Sequence, residues 1–139
     1  MPPPVAPLTA ALDRIGDRWS LLVIDSLLGG PRRFGELGER VGGIAPNILT
    51  KRLRQLEADG VILATPYSDR PVRMSYELTA SGRDLAGALS LLGTWGVRHT
   101  TSGPDRLHAT CGSALEARLW CPTCDRVVDD PEADENIHL

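Results

Sequence analysis

The stretch from Arg33 to Gly60, RFGELGERVGGIAPNILTKRLRQLEADG, constrains the fold more than any other part of the chain. Phe34, Leu37 and Val41 recur at a spacing of three and four, which predicts a short amphipathic helix. Gly42-Gly43 then stops it, because glycine readily takes the positive φ that a helix end needs. Pro46 can open a second helix at the position where its missing N–H costs nothing, and Asp59-Gly60 closes it. Within this second helix Leu49, Leu53 and Leu56 form one apolar stripe, with Ile48 beside it. Asn47, Thr50, Lys51 and Arg54 are left facing outward as a polar, basic surface. Two short helices joined this way make a helix-turn-helix, in which one helix braces and the other lies in the DNA major groove.

The flanking segments extend this reading. Leu8 to Ile15 predicts a short helix, and Asp17 is suited to cap a second from Arg18 to Leu28. The latter is apolar on most sides, so it is expected to be the buried central helix. Gly29-Gly30-Pro31 ends it, and Arg32-Arg33 follow as a loop within reach of a phosphate. After Gly60 the period changes to two: Val61–Tyr67 has strand character, and Val72, Met74, Tyr76 and Leu78 alternate with polar residues. Ser68 to Pro71 supplies the turn. A hairpin directly after a helix-turn-helix defines a winged helix, with Arg70 and Arg73 near the wing tip. A last helix is expected from Ser81-Gly82 to about His99. It carries two stripes, Leu85-Leu89-Leu92 and Ala88-Leu91-Trp95. Two stripes imply two partners, the domain and a second copy of the chain; one wide stripe on a well-buried helix is the alternative.

The net charge of −3 looks wrong for DNA binding, but it is unevenly spread. Residues 32–73 carry 8 basic and 5 acidic side chains, whereas residues 100–139 carry 3 basic and 8 acidic. The local surface decides contact with phosphate.

The runs Asp17-Arg-Trp-Ser-Leu-Leu, Arg33-Phe-Gly-Glu-Leu, Leu49-Thr-Lys-Arg-Leu-Arg-Gln-Leu-Glu-Ala-Asp-Gly, Pro71-Val-Arg-Met-Ser-Tyr-Glu-Leu-Thr-Ala-Ser-Gly and Trp95-Gly, in this order, resemble the HxlR family of bacterial transcriptional regulators. The resemblance covers about residues 8–99. It implies a dimeric winged helix-turn-helix on a partly palindromic operator, with the dimer built from the N-terminal and last long helices. Many members sense electrophiles or oxidants through a cysteine shortly before the first helix; this chain has Ala6 there.

The tail holds a second constellation. His108-Ala-Thr-Cys111-Gly and Trp120-Cys121-Pro-Thr-Cys124-Asp place four soft or borderline donors in two pairs, as tetrahedral zinc prefers. Leu115 to Trp120 is expected to be a strand between them, giving a small zinc-ribbon-like segment over 105–128. Three readings stay open: structural zinc, metal or redox sensing through the thiols, and no metal, with Cys111 near one of the other thiols. Residues 129–139 are strongly acidic and are expected to be disordered.

The fold class expected is therefore α+β, a winged helix-turn-helix over 8–100 with a two-stranded wing, after a flexible 1–7 and before the Cys/His appendage. The function expected is a homodimeric DNA-binding regulator, with Asn47, Thr50, Lys51, Arg54, Arg33, Arg70 and Arg73 on DNA and Arg52 ranked below Arg54. His108, Cys111, Cys121 and Cys124 would hold zinc. A small apolar effector near Trp19 and Trp95 is a further expected partner. The competing function is a winged-helix and zinc-ribbon module for protein interaction, although the charged outer face of 46–59 is unlike an interface centre. An enzyme is not expected, since the chain lacks a Ser/His/Asp or Cys/His pairing and a phosphate-cradling glycine loop. No apolar run reaches the ~18 residues of a membrane span, and Met1-Pro-Pro-Pro lacks the regions of a signal peptide. A cytoplasmic location is expected.

Overall fold

A computed structural model describes residues 1–100, 103–104 and 106–128. The acidic stretch 129–139 lies outside the described residues. The chain divides into two compact units, Met1–Leu89 and Ser90–Leu139. No helix among the described residues is long and apolar enough to cross a membrane.

The first unit is built around one apolar cluster. Helices α1 (Pro7–Ile15) and α2 (Arg18–Leu27) come first. The Asp17 carboxylate caps α2 by accepting from the Ser20 backbone N–H at 2.9 Å and from its hydroxyl at 2.5 Å. Val23, Ile24 and Leu27 of α2 are buried, while Leu22 and Leu28 are more than a third exposed, so this helix is central on one side only. Helix α3 (Phe34–Arg40) buries Leu37, and α4 (Pro46–Ala58) buries Leu49, Leu53 and Leu56. Gly60 then turns the chain at φ 72°, a left-handed conformation that glycine takes without penalty. The remaining core residues are Val41, Val61, Ile62 and Leu78.

The wing differs from a two-stranded hairpin. β1 (Arg32–Arg33), β2 (Ile62–Asp69) and β3 (Val72–Leu78) form one antiparallel sheet in the order β1-β3-β2. Arg32 and Arg33 pair with Tyr76 and Ser75, so the expected loop is a short third strand. It satisfies backbone groups that β3 would otherwise expose at its edge. β2 also runs to Asp69, and only Arg70-Pro71 make the turn. The register shifts between Pro66 and Ser68, leaving a bulge at Tyr67.

The expected single helix from Ser81 is broken. Short α5 (Ala80–Arg83) is followed by α6 (Ala86–His99). Thr79 caps α5, and its hydroxyl also donates its one proton between the carbonyls of Gly60, at 2.6 Å, and Val61, at 3.0 Å. The Arg83 guanidinium donates to the Leu78 carbonyl at 2.7 Å. These bonds tie α5 to the end of the wing, and α6 begins anew after Asp84-Leu85. Leu85 and Leu89 pack on the core, whereas Leu91, Leu92 and Trp95 are more than half exposed. In the second unit, β4 (Leu119–Cys121) pairs antiparallel with β5 (Arg126–Val128). The expected strand from Leu115 is confined to those last residues.

Gly82 sits where no side chain fits: a Cβ there would collide with the Val61 carbonyl oxygen and lie 2.9 Å from a Leu78 methyl. Gly82→Ala should therefore destabilise the protein by about 1–3 kcal/mol through overpacking. Chemical denaturation measures this; a midpoint equal to that of the parent would contradict so tight an approach.

Candidate nucleic-acid interface

Helix α4 is fixed by its three buried leucines, and that decides what its other side presents. Asn47, Lys51 and Arg54 are exposed and Thr50 is half-buried, at intervals that place all four on the face opposite the stripe. Asn47, Lys51 and Arg54 form no hydrogen bond or ion pair among the described residues. The Thr50 hydroxyl donates to the Pro46 carbonyl at 3.0 Å. Its proton is thus engaged within the helix, and its oxygen remains free to accept.

Arg52 points the other way. Its Nε lies 3.4 Å from the Asp17 carboxylate, an ion pair joining α4 to the cap of α2. Burial alone would raise the Asp17 pKa, but the Ser20 hydroxyl and N–H, aided by Arg52, hold it below the usual value. Arg52 is therefore a brace for α4 and not part of its outward face. Beyond Arg54, the Tyr76 phenol is pushed up by burial and by Glu57, with Arg54 opposing, which places Tyr76 of β3 beside the last turns of α4.

The wing supplies a second basic patch. The Arg33 guanidinium lies 4.4 Å over the Tyr67 ring, a cation–π contact that holds it beside the bulge. Arg33 also starts α3, where the Glu36 carboxylate accepts from its backbone N–H at 3.2 Å. Arg33, Tyr67 and Arg73 line one open concavity of about 360 Å³ together with Met74 and Tyr76. Arg70 is exposed in the turn. Arg32 is committed elsewhere: its Nε donates to the Ser26 carbonyl at 3.0 Å, near the end of α2. Sequence reasoning did not single out Tyr67. An aromatic residue beside the turn of a hairpin rich in arginine was the available signal.

Trp19 is half-buried against the core with Arg18 4.8 Å over its ring, and Trp95 pairs with His99 at a centroid separation of 4.9 Å.

The Cys/His residues of the second unit meet in pairs. His108 Nδ1 lies 3.3 Å from Cys111 Sγ. The Cys111 thiol is held down at about 7, first by hydrogen bonds from Ser113 and then by His108. The Cys121 thiol is lowered by hydrogen bonds from the Cys124 backbone and side chain. Among the described residues no three His, Cys, Asp or Glu side chains are grouped to hold a metal, so the two pairs stand separately.

Comparison with known proteins agrees with this geometry. Residues 14–103 match the family model described as HxlR-like helix-turn-helix. An uncharacterized HTH-type transcriptional regulator of Mycobacterium tuberculosis is 40% identical over 118 residues, which cover 82% of this chain and 74% of that protein. The HTH-type regulator YtcD of Bacillus subtilis is 37% identical over 107 residues, covering 77% of this chain and 82% of that protein. Its crystal structure superposes with a TM-score of 0.64 over 68% of this chain and 97% of that one. PA1607, a candidate transcription factor, reaches a TM-score of 0.72 at 29% identity over 91% of both chains.

Asp17→Ala removes the cap of α2 and the partner of Arg52 together. Loss of such a cap costs about 1 kcal/mol, and a pair this exposed adds less. Urea unfolding should show Asp17→Ala less stable than Arg52→Ala; the reverse order would mean that the ion pair, not the cap, holds this corner.

Proposed function

The chain belongs to the HxlR-like helix-turn-helix family of transcriptional regulators, and we propose that it works as a homodimer reading a partly palindromic operator through α4. It is a DNA-binding regulator and not an enzyme, as are the relatives it matches. The observation that carries the residue assignment is the exposed face of Asn47, Lys51 and Arg54, without a hydrogen bond or ion pair among the described residues, on a helix whose opposite side is locked in the core.

In this reading each α4 enters a major groove, with the two copies about one helical turn, ~34 Å, apart. Asn47 and Arg54 suit base edges, asparagine for adenine and arginine for guanine. Lys51 suits phosphate as a point charge. Thr50 accepts rather than donates. Arg70 and Arg73 of the wing reach the neighbouring minor groove or its backbone, and Tyr67 pre-orients Arg33 for phosphate. Dimerisation would cover the exposed apolar side chains of α1, Leu8 and Leu12, and those of α6, Leu91, Leu92 and Trp95. The protein would act in the cytoplasm, where the operator is. A small apolar effector would act by altering the separation of the two α4 helices, on which paired half-sites depend.

Arg54→Ala tests the interface. If Arg54 reads a base, affinity for the operator should fall by roughly 1–3 kcal/mol with specificity relaxed at one position. Lys51→Ala should weaken operator and scrambled DNA alike and reduce the slope of log affinity against log salt by about one. An Arg54→Ala protein with unchanged affinity and unchanged salt slope would remove that residue from the interface. Trp95→Glu tests the dimer: light scattering should report a monomer, with operator affinity lost in parallel. A dimer of undiminished stability would place the contact elsewhere.

A further inference from the structure

We propose that His108, Cys111, Cys121 and Cys124 together bind one zinc ion, and that this ion serves as the core of the segment after α6. The proposal goes beyond the DNA-binding reading and does not depend on it.

Two observations carry it. The first is that the two donor pairs sit on turns of the same construction. In each, the second donor lies three residues after the first, and the residue directly following it has a left-handed backbone: Gly112 at φ 71° and Asp125 at φ 52°. Asp125 is the one non-glycine residue with positive φ among the described residues, a conformation that costs an L-residue energy. In each, antiparallel pairing flanks the turn. Leu107 bridges Ala114 around the first, and β4 pairs with β5 around the second, with Cys121 opposite Arg126. The first turn is closed further by Gly112 N–H donating to the His108 carbonyl and His108 N–H donating to the Ser113 carbonyl, both at 2.8 Å. In the first turn, finally, the two donors already approach one another, His108 Nδ1 lying 3.3 Å from Cys111 Sγ. Two unrelated short sequences have thus been folded into one backbone shape, and what they share is a pair of metal-compatible donors.

The second observation is that the described residues of this segment form no apolar core. No described residue from 103 to 128 is buried, and Leu107, Leu115, Leu119, Trp120 and Val127 are all exposed. No disulfide links the cysteines, which are free. Two short hairpins without a hydrophobic face are not independently stable. A metal is the usual replacement for a missing core in segments of this size.

Three thiolates and one neutral imidazole make a complete tetrahedral set for zinc with a net charge of −1, the three thiols giving up their protons on binding. The set leaves no position for water, so the site is structural rather than catalytic. Because the two pairs stand separately, ion binding includes the closing of one turn upon the other. That is metal-coupled folding confined to the segment.

The test uses the full chain, purified under reducing conditions without chelators. Elemental analysis should give one zinc per chain. Zinc removed with a chelator and replaced by cobalt(II) should produce thiolate-to-cobalt charge-transfer absorption and the visible bands of a tetrahedral site, saturating at one equivalent. Cys111→Ser, Cys121→Ser, Cys124→Ser and His108→Ala should each abolish or shift those bands, while Ser113→Ala should keep them. The cobalt titration of the unaltered chain does not depend on whether the variants fold. Substoichiometric zinc with no cobalt–thiolate absorption would overturn the proposal. So would half an ion per chain, which would mean a site shared between copies. None of these readouts involves DNA, so failure here is distinguishable from failure of the operator reading.

Discussion

The seating of Leu49, Leu53 and Leu56 in the core is the contact on which the rest depends. All three are buried to within 2% of complete. Burial of a leucine contributes roughly 1.5–3 kcal/mol, so three on one helix fix its rotation firmly. A rotation of α4 by about half a turn would exchange leucines for Lys51 and Arg54 and would bury charge without a partner. The orientation of the outward face is therefore a consequence of the apolar stripe. Arg52 adds a tether at the edge, and Pro46 at the first helical position sets where the helix begins.

The same logic explains what was legible in the sequence. The helices α1 to α4, the Asp17 cap of α2 and the outward placement of Asn47, Lys51 and Arg54 follow from periodicities of three and four and from turn residues, all of which are local. The Asp17 cap lies three residues from its partner. Tertiary contacts, by contrast, leave no local mark. Arg32-Arg33 become a strand because β3 offers an unpaired edge more than forty residues later, at Ser75 and Tyr76. The break between α5 and α6 arises because Thr79 and Arg83 bond to residues of the wing and Gly82 presses on Val61. A helical pattern read alone continues through it. The role of Tyr67 depends on a bulge, which alternation along one strand does not reveal.

Candidate site residues divide along the same line. Lys51 and Arg54 could be assigned from the stripe opposite them, and Arg52 could be separated from them by its angle on the helix. Arg32 and Arg33 are adjacent and chemically alike, and nothing in sequence distinguishes them. In the fold one donates to the Ser26 carbonyl while the other stacks on Tyr67. Alternation along an extended backbone sends neighbours to opposite faces. One arginine is thereby spent on holding α2 to the sheet and the other is left exposed.

Net charge bears on the DNA reading less than it first suggests. At physiological ionic strength the Debye length is about 8 Å, so a phosphate at α4 responds chiefly to charges within that distance. The positive excess of residues 32–73 includes Lys51 and Arg54 on α4 and Arg33, Arg70 and Arg73 on the wing and at its edge. Asp59 accepts from the Gln55 amide and Asp17 from Ser20, with Arg52 beside it, so two of the nearby carboxylates already have partners. The short-range field at the outward face of α4 is set by Lys51 and Arg54, whose positions the leucine stripe determines.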